Sequence, residues 1–396
     1  MKPKPLYGLK VIELGQLIAG PFAGKFFSEF GAEVIKVEPP EGDPLRKWRK
    51  LHEGTSLWWY VQNRNKKSVT VNLRLPEGQE VVRKLARDAD VVIENFRPGT
   101  LEKWGLGYDR LAAENPGLVM LRLSGFGQTG PYRDQAGFGT VAESMGGLRY
   151  VTGYRDRPPV RPNLSIGDAL ASLHGVIGVL VALHHRGQGG GQGQVVDVAL
   201  YEAVFNMMEG ALPEYDVFNE VRERTGSNLT GIVPSNTYLT KNGEHVVIGA
   251  NADSIFKRLM KVIGRADLGE DPSLSDNAGR SQRAEELDAA IGAWTEKRDA
   301  ENVVQILNEA QVPNGKIYSM ADIARDAQYL ARDMIREVRL KDGTPLKVPG
   351  ITPRLSATPG DIGWVGPELG EHTDAVLAAN GYTEVEIAGL RKRGAI

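Results

Sequence analysis

Cysteine is absent from the 396-residue chain. Disulfides, thiolate nucleophiles, zinc–thiolate centres and iron–sulfur clusters are excluded with it, and such a chain suits a reducing compartment. Histidine is scarce: there are six, none at HxxxH-type spacing. His184 and His185 are adjacent, so on a helix they would point about 100° apart, and no metal site is expected. Neither sign of charge is in excess. Forty-eight basic residues against 50 acidic ones give a net charge of −2, too little for a broad field toward nucleic acid or an anionic membrane. No 18 uncharged apolar residues run together, and the amino-terminal MKPKPLYGLKVIEL lacks an apolar signal segment, so a cytoplasmic protein with neither a nucleic-acid nor a membrane partner is expected. No G-x-S-x-G elbow offers a serine nucleophile.

What is present reads as an ordinary globular composition, 41% apolar and 25% charged, in a chain long enough for two domains. LKVIEL (9–14), PFAGKFFSEFG (21–31) and EVIKVE (33–38) predict a βαβ unit, with Pro21 at the first helical position and Gly31 as a left-handed cap. EGQEVVRKLARDADVVIENF and GLVMLRLSGFG continue the alternation, which implies a mostly parallel sheet covered on both faces. A long apolar helix over 169–186, a strand at VVDVAL and a helix over YEAVFNMMEGAL follow. After about residue 215 the segments become shorter and more polar, with a strand at HVVIGA and helices near 252–264, 283–296 and 300–311. The expected organisation is a large first part over 1–215, a small domain over 216–325, and a carboxy-terminal part over 326–396. That last part holds a hairpin turning on Asp342-Gly343 and two closing helices, 372–380 and 383–392.

Four local signals bear on chemistry. GFGQTG (125–130) spells a dinucleotide fingerprint, but Pro131 and the broken YRDQAGFG follow it where a helix must begin, so it is read as a glycine-rich loop. GQGGGQG has no Walker lysine and follows a helix, as a flexible connection does. Arg46, Trp48 and Arg49 in DPLRKWRK are either an anion site beside an aromatic wall or a solvated basic turn with one packed tryptophan. Asp168, in NLSIGDALASLHG, stands before the long apolar helix as a favoured N-cap, and Gly167 beside it would allow close approach of backbone or ligand to its carboxylate. The local pattern does not decide between cap and catalyst.

A wider pattern does bear on that choice. LIAGPFAGKFFSEFGAEVIKVEPPEGD (17–43), NRNKKSVTVNL (63–73), VVIENFRPGTLEKWGLGYD (91–109), LSGFGQTGPY (123–132), Gly167-Asp168 and LGEHTDAVL (369–377) together resemble the class III CoA-transferases, the family of formyl-CoA transferase, carnitine CoA-transferase and succinyl-CoA:glutarate CoA-transferase. The resemblance implies a Rossmann-like parallel-sheet large domain built from both chain ends, a smaller α+β domain, and an interlocked homodimer. It implies Asp168 as a nucleophile that passes through an acyl-aspartyl anhydride to an aspartyl-CoA thioester. Coenzyme A enters as an acyl-CoA substrate, with no permanently bound cofactor. For binding CoA the resemblance points to Ala19, Gly20, Arg74, Asn95, Phe96, Arg97 and Lys103, where arginine and lysine suit phosphates.

For the acyl and acceptor pocket the resemblance points to Ile18, Arg46, Trp48 and Phe138. Ile18 replaces the glutamine that helps hold the acyl group in formyl-CoA transferase, Pro39 replaces an arginine after its IKIE, and GSNLTGIVPSNTY stands where that enzyme has a tetraglycine lid. A succinyl-like donor and a small dicarboxylate acceptor are therefore expected in preference to oxalate and formate. The α-methylacyl-CoA racemases share the implied fold and the aspartate but use a histidine in a segment resembling AGHD; here Gly137-Phe138-Gly139 stands there, and a phenyl ring carries no proton. A non-catalytic CoA- or dinucleotide-binding protein would leave Asp168 as a cap alone.

Overall fold

The computed structural model describes residues 4–396, so the first three residues of the amino-terminal segment lie outside the described part. Six strands form one parallel sheet: β1 (Lys10–Glu13), β2 (Glu33–Glu38), β3 (Lys66–Thr70), β4 (Val91–Glu94), β5 (Val119–Ser124) and β6 (Val195–Ala199). Their order across the sheet is β3-β2-β1-β4-β5-β6. Val11 stands opposite both Val34 and Val91, which sets β1 at the centre. From there the chain builds outward first to one side and then to the other, so the order switches direction between β1 and β4. Open α/β sheets bind ligands at such a point, beyond the carboxyl ends of the strands.

Most of the strands are near-continuous apolar runs, as strands of a sheet covered on both faces are. Four helices matter for the site: α1 (Ala19–Glu29), α2 (Pro76–Ala86), α3 (Gly139–Met145) and α4 (Ile166–Gln188). On one face, Phe27 of α1 and Val176, Val179 and Ala182 of α4 pack with Val91, Val119 and Leu121. On the other, Val81, Val82 and Leu85 of α2 share a core with Val376, Leu377, Ile387 and Leu390 from the last two helices, Thr373–Ala379 and Glu384–Lys392. The carboxy-terminal end of the chain thus covers a sheet made by the amino-terminal part. α4 has mean hydropathy 1.9 and is long and apolar enough to cross a membrane by length and composition alone; a core helix passes the same test, and α4 lies against the sheet.

The chain divides into two compact units. The first comprises the residues through Leu148, Pro162–Glu209 and Arg332–Ile396; the second comprises Arg149–Arg161 and Gly210–Ala331. The second unit has a three-stranded antiparallel sheet, Ser235–Leu239, His245–Gly249 and Asn314–Lys316, around a core of Val246, Ile248, Phe256, Ile291 and Leu307. Arg149–Arg161, expected within 1–215 of the large domain, belongs with this second unit.

Three further expectations change. The helix expected over 201–212 ends at Phe205, because the chain leaves one unit for the other between Glu209, which has φ +51°, and Gly210. The hairpin of Ile335–Arg339 with Pro345–Pro349 does not turn on two residues. The Gly343 N–H donates to the Leu340 carbonyl (2.9 Å) and Gly343 takes φ +88°, a longer turn in which glycine supplies the left-handed residue. Strand β3, KKSVT, is the third, since its two lysines hide it from a hydrophobic pattern.

Lys66 of β3 is fully buried, and so are Glu13 of β1 and Lys36 of β2. Lys66 Nζ lies 2.7 Å from Glu13 Oε2, and Lys36 Nζ lies 3.2 Å from Glu13 Oε1 and 2.8 Å from Asp43 Oδ2. A Cβ on Gly24 of α1 would stand 1.8 Å from Glu13 Oε2, so only glycine lets the helix cross this carboxylate. Burial works against the charge on Lys36, but Asp43, Glu13 and Glu38 more than compensate and raise its pKa. For Lys66 burial wins: its pKa is pushed down to about 8, with Glu13 opposing and Lys36 adding to the fall.

The unfolded chain keeps the Lys66 proton up to about pH 10.4, so between about 8 and 10.4 the unfolded state binds more protons and stability rises with pH. The raised pKa of Lys36 acts in the opposite sense, above that window. Urea unfolding of the native protein and of Lys66→Met should give a stability difference that grows by about 1 kcal/mol per pH unit above pH 8. A flat difference would mean that Lys66 titrates normally.

Candidate active site

The site is assembled where β1 and β4 end. Beyond β1 the loop from Leu14 to Ile18 leads into α1, and its peptide groups are taken up by side chains. The Asn95 carboxamide, one residue past β4, accepts from the Gln16 N–H (2.8 Å) and donates to the Gln16 carbonyl (2.8 Å). Leu17 takes the left-handed φ of +62°, and its N–H donates to Asp43 at 3.1 and 3.2 Å. No side chain caps the start of α1. Helix geometry leaves the first-turn amides without intrahelical acceptors, and Pro21 has none to offer, so Ala19 and Gly20 carry the open donors of this turn.

Beside this loop lies a cleft of about 280 Å³ at the carboxyl ends of the strands, lined among others by Gln16, Pro39, Glu41, Arg74, Phe96 and Trp104. Phe96 and Trp104 pack edge to face with ring centres 5.3 Å apart. Arg74 stands exposed at the rim, 3.4 Å from Glu41.

Asp168 is the third residue of α4, not its cap; the N-cap is Ser165, which makes no side-chain cap bond. The helix starts three residues earlier than an aspartate cap would place it, and the carboxylate still lies in the first turn, where the helix dipole favours negative charge. Its neighbour is Gly139: a Cβ there would lie 2.2 Å from Asp168 Oδ2. Four residues along the same short helix, the fully buried Glu143 accepts from the Gly167 N–H at 3.4 Å. Gly167 therefore packs against α3, its hypothetical Cβ meeting Gly139 O at 3.0 Å. Ser172 Oγ contacts both the Asp168 and the Ala19 carbonyl oxygens at 2.7 Å, which ties the first turn of α4 to the first turn of α1.

Comparison with known proteins gives this arrangement its context. The family model described as CoA-transferase family III matches residues 6–373. The chain belongs to that family. It is 49% identical to the succinyl-CoA–D-citramalate CoA-transferase of Chloroflexus aurantiacus, over 100% of this chain and 98% of that protein. It is 34% identical to the succinate–glutarate CoA-transferase of Agrobacterium fabrum, over 94% of this chain and 95% of that one. The crystal structure of a CAIB/BAIF family protein from Brucella suis superposes with a TM-score of 0.84 at 34% identity, covering 96% of this chain and 100% of that chain.

Within this CoA-transferase the residues expected at the site separate into three groups. Ala19, Gly20, Asn95, Phe96 and Arg74 gather around the ends of β1 to β4, with Arg97 and Lys103 exposed on the segment after β4. Phe138, 65% exposed, immediately precedes Gly139, the residue against which Asp168 packs. The other residues expected there lie in or beside a small apolar core. Ile18 is buried with Leu45 and Trp59 in a small core. Arg46 binds Glu38 through two bonds of 2.7 Å, donates to the Pro367 carbonyl (3.1 Å) and stacks 3.6 Å above Trp59, so its guanidinium is engaged within the fold. Trp48 leans on Trp58 at 6.0 Å. GFGQTG opens no helix; the next begins at Gly139.

Sequence reasoning missed Glu13, Lys36, Asp43 and Lys66, which shape the β1–α1 loop, and Gly139 and Glu143, which flank Asp168. The GD after IKVEPPE and the AGFG segment were the available signals, but neither shows what it touches. The side chain of Gly139→Ala would collide with the carboxylate of Asp168. Turnover should fall by roughly 100-fold while the melting midpoint moves little, as steady-state kinetics and calorimetry would record. Near-native turnover would place the functional carboxylate elsewhere.

Proposed function

We propose that the enzyme exchanges CoA between succinyl-CoA and a small dicarboxylic acid through covalent intermediates on Asp168. The observation that carries this reading is the carboxylate of Asp168 in the first turn of α4, set against Gly139, while the backbone carbonyl of Asp168 is tied through Ser172 to the turn that opens α1. A carboxylate suits the task because its acyl adducts remain activated: a mixed anhydride and a thioester both preserve the energy of the acyl bond.

The electron bookkeeping closes without a proton carrier. An Asp168 oxygen attacks the thioester carbonyl, the C–S bond breaks, and CoA leaves as thiolate from an acyl-aspartyl anhydride. The thiolate attacks the aspartyl carbonyl, the C–O bond of the anhydride breaks, and the donor acid departs as carboxylate. The acceptor carboxylate then attacks the aspartyl-CoA thioester and expels the thiolate. Attack of that thiolate on the acceptor's acyl carbon releases the new acyl-CoA and restores Asp168. The open amides of Ala19 and Gly20 are the donors we assign to the CoA ester. The cleft beside Phe96 and Trp104 takes the nucleotide end, with Arg74, Arg97 and Lys103 near its phosphates. Phe138 argues against the racemase chemistry of the same fold, since it offers no acid or base.

The donor and acceptor follow from the relatives named for succinyl-CoA with D-citramalate and for succinate with glutarate. Chromatography of CoA esters after incubation with succinyl-CoA should show transfer to D-citramalate, glutarate or L-malate at rates at least about tenfold above oxalate or formate. Succinyl-CoA followed by hydroxylamine or borohydride should mark Asp168 in peptide mass analysis, and Asp168→Ala should lose both mark and turnover. Labelling elsewhere would refute the mechanism.

We also propose that two copies interlock as a homodimer. Leu173, Ile177 and Val181 recur every four residues along α4 as an exposed apolar stripe, with Ile177 60% and Val181 63% exposed, the pattern of a helix face made for a partner. Sedimentation equilibrium should return twice the 43.2 kDa chain mass, and Ile177→Lys with Val181→Lys should shift the protein toward monomer or aggregate. A stable native monomer would sink this part.

A further inference from the structure

Lys36 and Asp43 do not line the cleft, yet they govern the loop that enters it. Lys36 Nζ donates to the Gly15 carbonyl and pairs with Asp43 at 2.8 Å. Asp43 in turn accepts from the Leu17 N–H (3.1 and 3.2 Å) and from the Leu45 N–H (2.9 Å). The peptide on either side of Gln16 is therefore gripped by one buried ion pair, and Leu17 is held at φ +62°, which a leucine rarely adopts. The charges around it balance: Lys36, Lys66 and Arg46 against Glu13, Asp43 and Glu38, linked by contacts of 2.7 to 3.2 Å. A purely structural cluster could sit anywhere in the sheet; this one sits under the switch point and spends its hydrogen bonds on the turn that starts α1.

We infer that the buried Lys36–Asp43 pair is a positioning device for the CoA ester, fixing residues 15–17 so that α1 begins with its open amides at the edge where the substrate binds. This rests on the reading that the ester binds along that edge. Neither residue touches substrate; both act through the backbone of Gly15 and Leu17. Binding should therefore suffer more than chemistry once substrate is in place, because the Asp168 carboxylate packs against Gly139 of α3, a contact in which the Gly15–Leu17 loop takes no part.

The test separates positioning from stability. Lys36→Met alone leaves Asp43 buried without its cation and should lower the melting midpoint. The double variant Lys36→Met/Asp43→Asn removes both charges and leaves Glu13 with Lys66, so the midpoint should return most of the way to native. Its KM for succinyl-CoA, and its dissociation constant for CoA by calorimetry, should nevertheless remain raised by roughly tenfold or more, with kcat within about threefold of native. A double variant with both native midpoint and native affinity would overturn the inference, as would loss of kcat with unchanged KM. Should the double variant fail to fold, Asp43→Asn alone, which retains an acceptor for Leu17, should raise KM by roughly three- to tenfold, and an unchanged KM overturns the idea equally. Absence of CoA binding by the native enzyme would instead strike at the proposed function itself.

Discussion

A carboxylate without exposed surface at the end of the central strand is the constraint from which most of this enzyme's active edge follows. Glu13 lies in a low-dielectric interior, where a carboxylate persists only when opposite charges meet it at close range. Lys36 and Lys66 supply them from β2 and β3, the two strands to one side. Three adjacent strands are thereby joined in charge as well as by the ladder. α1 must cross this cluster, and Gly24 is where it does so. The compensation of Glu13 thus sets which residue of α1 crosses it.

The same economy of close approach recurs at Asp168. Gly139 removes a side chain from the space the carboxylate occupies, and Glu143, four residues along, accepts from the N–H of Gly167, the residue before Asp168. A short helix read from its sequence alone looks unremarkable in polarity, yet one of its faces is shaped around the first turn of α4. Asp168 is held from below by a long core helix and from the side by a short one. The loop after β1 is held by Asn95 and Asp43. Each half of the site has its own support, and Ser172 joins them.

Much of this was legible before any coordinates. Five of the six sheet strands are apolar runs at the spacing of a βαβ chain, and the Gly31 terminator of α1 does what its residue type demands, with φ +101°. β3 was not legible. KKSVT carries charge at two successive positions, and the partner that permits burial of Lys66 lies over fifty residues upstream. Arg46 shows the converse: beside Trp48 it resembles a ligand for an anion, but Glu38, brought alongside by the turn after β2, takes its guanidinium first. In both cases the deciding partner is not local, and a charge's meaning depends on which opposite charge reaches it.

The sequence by itself determined the alternation of strand and helix, the parallel sheet, the aspartate before an apolar helix and, through its blocks of resemblance, the family. Those are properties of local periodicity and of residue order along the chain. Only the tertiary structure decided that Asp168 lies within the helix and not at its cap, that Gly139 makes room for its carboxylate, and that Glu13, Lys36, Asp43 and Lys66 form one buried cluster. These depend on groups from separate elements meeting at 2.7 to 3.2 Å away from the solvent-accessible surface, where charges interact strongly enough to choose their partners.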